Sequence, residues 1–153
     1  MFVNRIILLM LGVSILFSGC QSKVTRASDT YRKLSCDDPL NNHYKGHYKI
    51  GARYTIKNKS YTPREVSRYN KVGIASWYGS RYGFHGHKTA NGDIYNKNLL
   101  TAAHRTLQLP SLVKVKNLEN GRSIIVLVND RGPYARNREV DLSERAATIL
   151  DMK

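Results

Sequence analysis

The chain has 153 residues, 41% of them hydrophobic, and a formal net charge of +14. That length suits one domain with a tail, and the apolar content is enough for a core. No internal repeat or long low-complexity tract is visible, which argues against solenoid and collagen-like folds.

At the N-terminus, "MFVNR" supplies one positive charge, Arg5, ahead of a continuous apolar run, Ile6 to Phe17. The run is shorter than the roughly 20 residues a spanning helix takes. It fits the hydrophobic region of a secretory signal. "SGC" then places small residues before Cys20, which resembles the bacterial lipobox, in which the cysteine is lipidated and becomes the mature N-terminus. An ordinary secretory signal or an N-terminal membrane helix is the alternative. On the first reading residues 1–19 are a lipoprotein signal peptide and Cys20 is the lipidation site. Gln21, rather than Asp, after that cysteine suggests sorting to an outer membrane, facing the periplasm.

Removing residues 1–19 removes only Arg5 among charged side chains, so the mature charge is +13. In an exported chain this favours an anionic envelope polymer or a membrane surface over nucleic acid. With Cys20 lipidated, Cys36 has no partner, and the fold stands without an internal disulfide. His43 and His47 sit four apart, but Gly46 lies between them and weakens any helix there, so no metal is expected. No cofactor is expected either, and a monomer is the expected state.

Residues 20–47 are polar and aperiodic and read as a tether. A domain over residues 48–153 follows. "YKIGARYTI" alternates imperfectly, as a strand or an extended arm does. "YTPRE" places Pro63 in a turn. "VGIASWYG" is a strand closed by Gly79, and "GFHGHKTANGD" is a glycine-rich loop. "NLLTAAH" is a short apolar segment, and "LPSLVKVKNL" alternates. Asn120-Gly121 in "ENGRS" predicts a two-residue hairpin turn. "SIIVLV" is a buried strand ending in "NDRGPY". In "EVDLSERAATIL", Ser143 caps a helix that carries Ala146, Ala147 and Leu150 on one face. Short strands, a hairpin and a brief helix predict a small β-barrel with a helical insert.

The ordered motifs "GIASWYG", "FHGHKTANGD", "LTAAHRTLQLPSLVKVKNLENGRSIIVLVNDRGPY" and "REVDLS" resemble those of the rare lipoprotein A family, over about Tyr48 to Leu150. The resemblance implies a six-stranded double-psi β-barrel. It also implies lytic transglycosylase activity on peptidoglycan glycan strands, preferably strands without stem peptides. Family members usually continue past the helix with a last strand. The chain ends at "ILDMK", so the barrel is expected either to lack that strand or to have the Tyr48 arm over the gap.

Glycosidic cleavage needs a proton donor for the leaving oxygen. In a lytic transglycosylase the muramic 6-hydroxyl attacks its own anomeric carbon, so one carboxyl can give a proton and later assist that hydroxyl. Asp130, at the end of a buried strand, is one candidate; a turn aspartate capping amides is its bland alternative. Asp141 in "VDLS" is the rival, matching a critical acid of the related expansins and endoglucanases; its alternative is a capping acid before the helix. His104 in "TAAH" and Asp93 in "ANGD" match further family positions. Asp93 stands where the family usually has Glu, and Asn96 where it usually has Asp; Asn cannot act as a general acid. Tyr78 and Tyr82 are expected to wall the sugar groove, with Asn96 and Arg131 as further substrate contacts. Trp77 reads as barrel packing, Phe84 as available for stacking, and Arg136 as a second cation for glycan carboxylates or a solvated one. A non-catalytic, expansin-like glycan-binding lipoprotein is the alternative function.

Overall fold

The computed structural model describes residues 4–10, 45–78 and 83–152. Its strands, in chain order, are β1 (Asn4–Met10), β2 (Tyr54–Ile56), β3 (Lys59–Tyr61), β4 (Asn70–Trp77), β5 (Thr101–Ala103), β6 (Ser111–Asn117), β7 (Ser123–Asp130) and β8 (Val140–Leu142). The helix α1 (Glu144–Ile149) follows β8. Six strands close a barrel in the order β1-β4-β8-β5-β7-β6, and β6 returns to β1. β4 pairs parallel with β8 and β5 parallel with β7, while the remaining pairs are antiparallel. This is the double-psi β-barrel that the motifs imply.

The core follows from period-2 alternation. Val113 and Val115 of β6, Val126 and Val128 of β7, and Val140 and Leu142 of β8 point inward and are fully buried with Ala75 and Ala102. Helix α1 closes against this core through Ala146 and Ala147, joined by Leu150 and Met152. Its start is set as the sequence predicts: the Ser143 hydroxyl accepts from the Ala146 amide at 3.2 Å.

The expected missing strand is corrected by the structure. Asn4–Met10, inside the stretch read as a signal, lies between β4 and β6 and pairs with both. Leu8 is fully buried in the core. The Tyr48 arm does not fill this gap; it lies elsewhere, with Lys49 bridged to Leu109. A central barrel strand, like a membrane-directed segment, keeps its backbone groups paired and its side chains apolar. One apolar run therefore satisfies both descriptions, and hydropathy cannot separate them. The barrel thus draws on more than residues 48–153, and Gly46, within the stretch read as tether, is hydrogen-bonded to it.

Three local expectations also change. A hairpin the sequence reading missed joins β2 to β3, with Lys57 and Asn58 at φ 47° and 60°. Asn117 pairs with Arg122 (N–H to O, 2.9 Å), so the turn at "ENGRS" spans residues 118–121 and Gly121 takes the left-handed φ of +77°. β8 is a strand where only a helix approach was expected; its three residues are held by β4 on one side and β5 on the other.

Candidate active site

Three strands bring the two acidic candidates together. Ala103 of β5 is the register partner of Asp130 on β7 and of Asp141 on β8, and Asp141 is the partner of Ser76 on β4. Directly opposed residues share a sheet face, so Ser76, Asp141, Ala103 and Asp130 form a row. A register shift opposite Ala102 and Ala103 gives β7 one extra residue. That bulge turns Asp130 away from the inward set to which strict alternation from Val128 assigns it. The small Ala103 side chain lies between the carboxyls, whose strands are about 10 Å apart across β5. Gly132 approaches the same alanine: a Cβ there would sit 3.8 Å from the Ala103 methyl.

Asp130 is partly exposed and held on one side. Its Oδ1 accepts from the Ala90 and Arg131 amides, both at 2.8 Å. The Tyr78 hydroxyl reaches its Oδ2 at 3.5 Å. Burial raises its pKa despite these bonds and the Arg131 charge, which oppose the shift. Asp141 is only 8% exposed. Burial pushes its carboxyl up to about 6, against the lowering pull of Arg138 and Arg105. Arg138 contacts Asp141 Oδ2 at 3.3 Å and donates to Ser76 Oγ at 3.0 Å. Asp141 Oδ1 is buried without a hydrogen-bond partner among the described residues. The site therefore holds two carboxyls whose protonated forms burial favours, one with an uncommitted oxygen.

Tyr78 borders the Asp130 end of the row. Burial, with the charges of Asp130, Tyr95 and Asp141, keeps its phenol protonated and able to donate. Its ring stacks on Tyr95 at 4.6 Å and meets Phe84 edge-on at 5.9 Å. Phe84 is 47% exposed, so this aromatic wall has an open end. Sequence reasoning missed Tyr95; its signal was the aromatic two positions after Asp93.

His104 sits behind the row, 1% exposed. Its Nδ1 accepts from the Thr106 and Leu107 amides at 3.2 and 3.1 Å, which leaves the proton on Nε2. Nε2 faces Glu139 Oε1 at 3.2 Å and the Tyr69 hydroxyl at 3.1 Å. Burial lowers the histidine pKa, so this contact is a hydrogen bond of the neutral ring rather than an ion pair. The Tyr69 hydroxyl donates to Glu139, and Arg105 pairs with that carboxylate at 2.8 Å. Burial alone would push the Glu139 carboxyl up; His104, Tyr69 and Arg105 together outweigh it and hold it at about 2. Both ring nitrogens of His104 are thus taken up, and its position is that of an organiser, with its amide donating to the Asp130 carbonyl at 3.0 Å. Glu139 was not among the predicted residues. The signal was its place two residues before Asp141, on the same side of an extended segment. Gly73 makes room for it: a Cβ there would lie 2.7 Å from the Glu139 Cβ.

The other predicted residues are placed differently. Asp93 is 0% exposed. It accepts from the Gly46 amide and from Asn129 Nδ2 at 3.0 Å, and so lies under the arm rather than in the row. Asn96 closes a local turn, its Oδ1 accepting from the Asn98 amide at 3.0 Å. Arg131 is a clamp: its guanidinium donates to the carbonyls of His104, Leu107 and Ile50. Those carbonyls engage Nη1 and Nη2, the ends that were expected to hold glycan carboxylates. Arg136 is exposed, and Trp77 packs against the core. Tyr82 and Cys20, with His43 and Cys36, lie outside the described residues.

Comparison with known proteins agrees with this architecture. The family model described as "Lytic transglycolase" matches residues 70–153. The endolytic peptidoglycan transglycosylase RlpA of Rickettsia felis is 52% identical over 154 residues, covering 98% of this chain and 68% of that protein. Its counterpart in Rickettsia typhi is 54% identical over 151 residues, and there this chain spans about half of the relative (96% and 47%). The counterpart in Campylobacter jejuni is 54% identical over 100 residues, 65% of this chain and 36% of that protein. Matched over more than half its length and by relatives over nearly all of it, the chain belongs to the lytic transglycolase family, among its rare lipoprotein A members.

Proposed function

We propose that this chain is an endolytic peptidoglycan transglycosylase that cleaves between N-acetylmuramic acid and N-acetylglucosamine, on strands lacking stem peptides, and leaves 1,6-anhydro-muramic ends. The observation that carries the reading is the row in which Asp141 and Asp130 flank Ala103. With its pKa pushed up to about 6, Asp141 retains a proton at mildly acidic pH, while its buried Oδ1 means that the glycan must displace neighbouring side chains to receive it. In this reading Asp141 protonates the leaving 4-oxygen as the bond from the anomeric carbon to that oxygen breaks. The muramic 6-hydroxyl then forms the new bond to the anomeric carbon and passes its proton to a carboxylate of the pair. Asp130, steered by two amides, faces the other end of the gap. Phe84, exposed and backed by Tyr78 and the buried Tyr95, supplies a face on which a sugar ring stacks.

The experiment is product analysis by mass spectrometry on peptide-free strands, with Asp130→Asn and Asp141→Asn beside the parent. Anhydro-muramic products lost in either variant are the expected result. Full activity in both would end the assignment.

A second reading, a glycan binder without cleavage, is favoured by the enclosure of Asp93 and the use of Asn96 in a turn. Sedimentation with insoluble peptidoglycan and no anhydro product would select it. Lipidation at Cys20 and an envelope location rest on the N-terminal sequence, and the cleavage they require would remove β1, so they compete with the closed barrel; incorporation of a labelled fatty acid, abolished by Cys20→Ala, tests them.

A further inference from the structure

The segment Lys45–Gly51 runs along the whole "ANGD" loop. The Gly46 amide donates to Asp93 Oδ1. The His47 amide donates to the Asn91 carbonyl at 2.9 Å, and Lys49 Nζ to the Ala90 carbonyl at 3.0 Å. The His47 ring lies over Gly92, where a Cβ would sit 3.3 Å from Nδ1. At its far end the segment is latched: Lys49 bridges Leu109 and Arg131 Nη2 donates to the Ile50 carbonyl at 2.6 Å. Gly51 follows at φ +88°, a conformation natural for a hinge glycine. At Gly46 a side chain has no room, because a Cβ would meet the Asn91 amide at 2.3 to 2.7 Å.

The polar groups under this strap are not fully used. Asn91 and Asn129 are 0% and 2% exposed, yet Asn91 Nδ2 and Asn129 Oδ1 have no hydrogen-bond partner among the described residues. Buried polar atoms left so are costly, and they mark a surface made for another partner. Together with the Asp93 carboxylate they offer one donor and two acceptors. A secondary amide can engage the donor with its C=O and one of the acceptors with its N–H, whereas the Gly46 N–H engages Asp93 alone.

We infer that Lys45–Gly51 is an intramolecular strap that occupies, with its own peptide group, a subsite built from Asn91, Asp93 and Asn129 for the acetamido group of an N-acetylated glycan. This rests on the glycan-cleaving reading above and adds a regulated subsite to it. The subsite connects to the acidic row, since the Ala90 amide is a donor to Asp130 and Arg131 latches the strap. The strap swings about Gly51, and glycan entry and strap closure exclude each other.

Hydrogen exchange on the full chain tests this, with peptide-free glycan strands and the same strands chemically N-deacetylated as the two probes. Peptides covering Lys45–Ile50 are expected to exchange at least about tenfold faster on saturation with N-acetylated strands and to stay unchanged with deacetylated ones. Gly46→Ala, which expels the strap, is expected to tighten sedimentation with N-acetylated strands about tenfold, the factor by which a mostly closed state weakens apparent binding. Strands that bind and are cleaved while the strap stays protected overturn the strap and leave the activity standing. Weaker or unchanged binding by Gly46→Ala also overturns it. Absence of both binding and cleavage overturns the activity and the subsite together. Should Gly46→Ala not fold, the exchange result on the parent chain decides alone.

Discussion

Replacing Asp141 by Asn separates the chemical role of this carboxyl from its structural cost. Its pKa moves from 3.8 to about 6, with burial as the main cause. At 1.36 kcal/mol per unit, that shift corresponds to about 3 kcal/mol. Because the folded-state value is raised, the contribution favours folding fully below the unfolded pKa and is lost as pH rises through about 6. Above that pH an ionised carboxylate stays buried at a cost that Asn does not incur. Asn keeps the volume and an acceptor for Arg138. The variant should therefore match its parent near pH 4 and exceed it above pH 7, by up to about 3 kcal/mol. Its transglycosylase rate should nonetheless fall by about 10²- to 10⁴-fold, the range for a lost proton donor. Denaturant unfolding at pH 4 and pH 8 and anhydro-product release at pH 6 are the assays. A stability difference that does not change between the two pH values refutes the buried-carboxyl argument, and an unaltered product yield refutes the role.

Glu139 behaves with the opposite sign. Held at about 2 rather than 4.5, it adds about 3 kcal/mol that is complete above pH 4.5 and disappears as pH falls through about 2. Glu139→Gln should thus destabilise by roughly that much at pH 7 and by much less at pH 2, read by urea midpoints. Leu8→Ala should cost about 3 kcal/mol because it opens a cavity in the closed barrel. Removing residues 1–19 should broaden the melting transition, and a synthetic peptide of Asn4–Met10 should sharpen it again; a truncated domain that melts like the full chain contradicts the strand assignment. Asn117→Ala should cost about 2 kcal/mol in thermal unfolding, since the fully buried Asn117 amide donates to the Leu150 carbonyl at 3.0 Å and its Oδ1 accepts from Glu119.

Strands β4, β6 and β7 and the Ser143 cap were legible because each rests on neighbours in sequence: alternation writes β6, and a hydroxyl three residues before an amide writes a cap. The ordered motifs also identified the family and marked Asp130 and Asp141. Other features depend on residues far apart in the chain. Asp130 enters the row only through a bulge against β5, and Asp141 only because β8 is clasped between β4 and β5. The same holds for His104, whose basicity burial lowers against the pull of the distant Glu139, and for Asp93, enclosed by a glycine 47 positions away. The use of Asn4–Met10 as a barrel strand is the plainest case. Local hydropathy determined that the run avoids water, but only the partners on either side, β4 and β6, decided where it does so, because strand pairing is a long-range choice that composition does not encode.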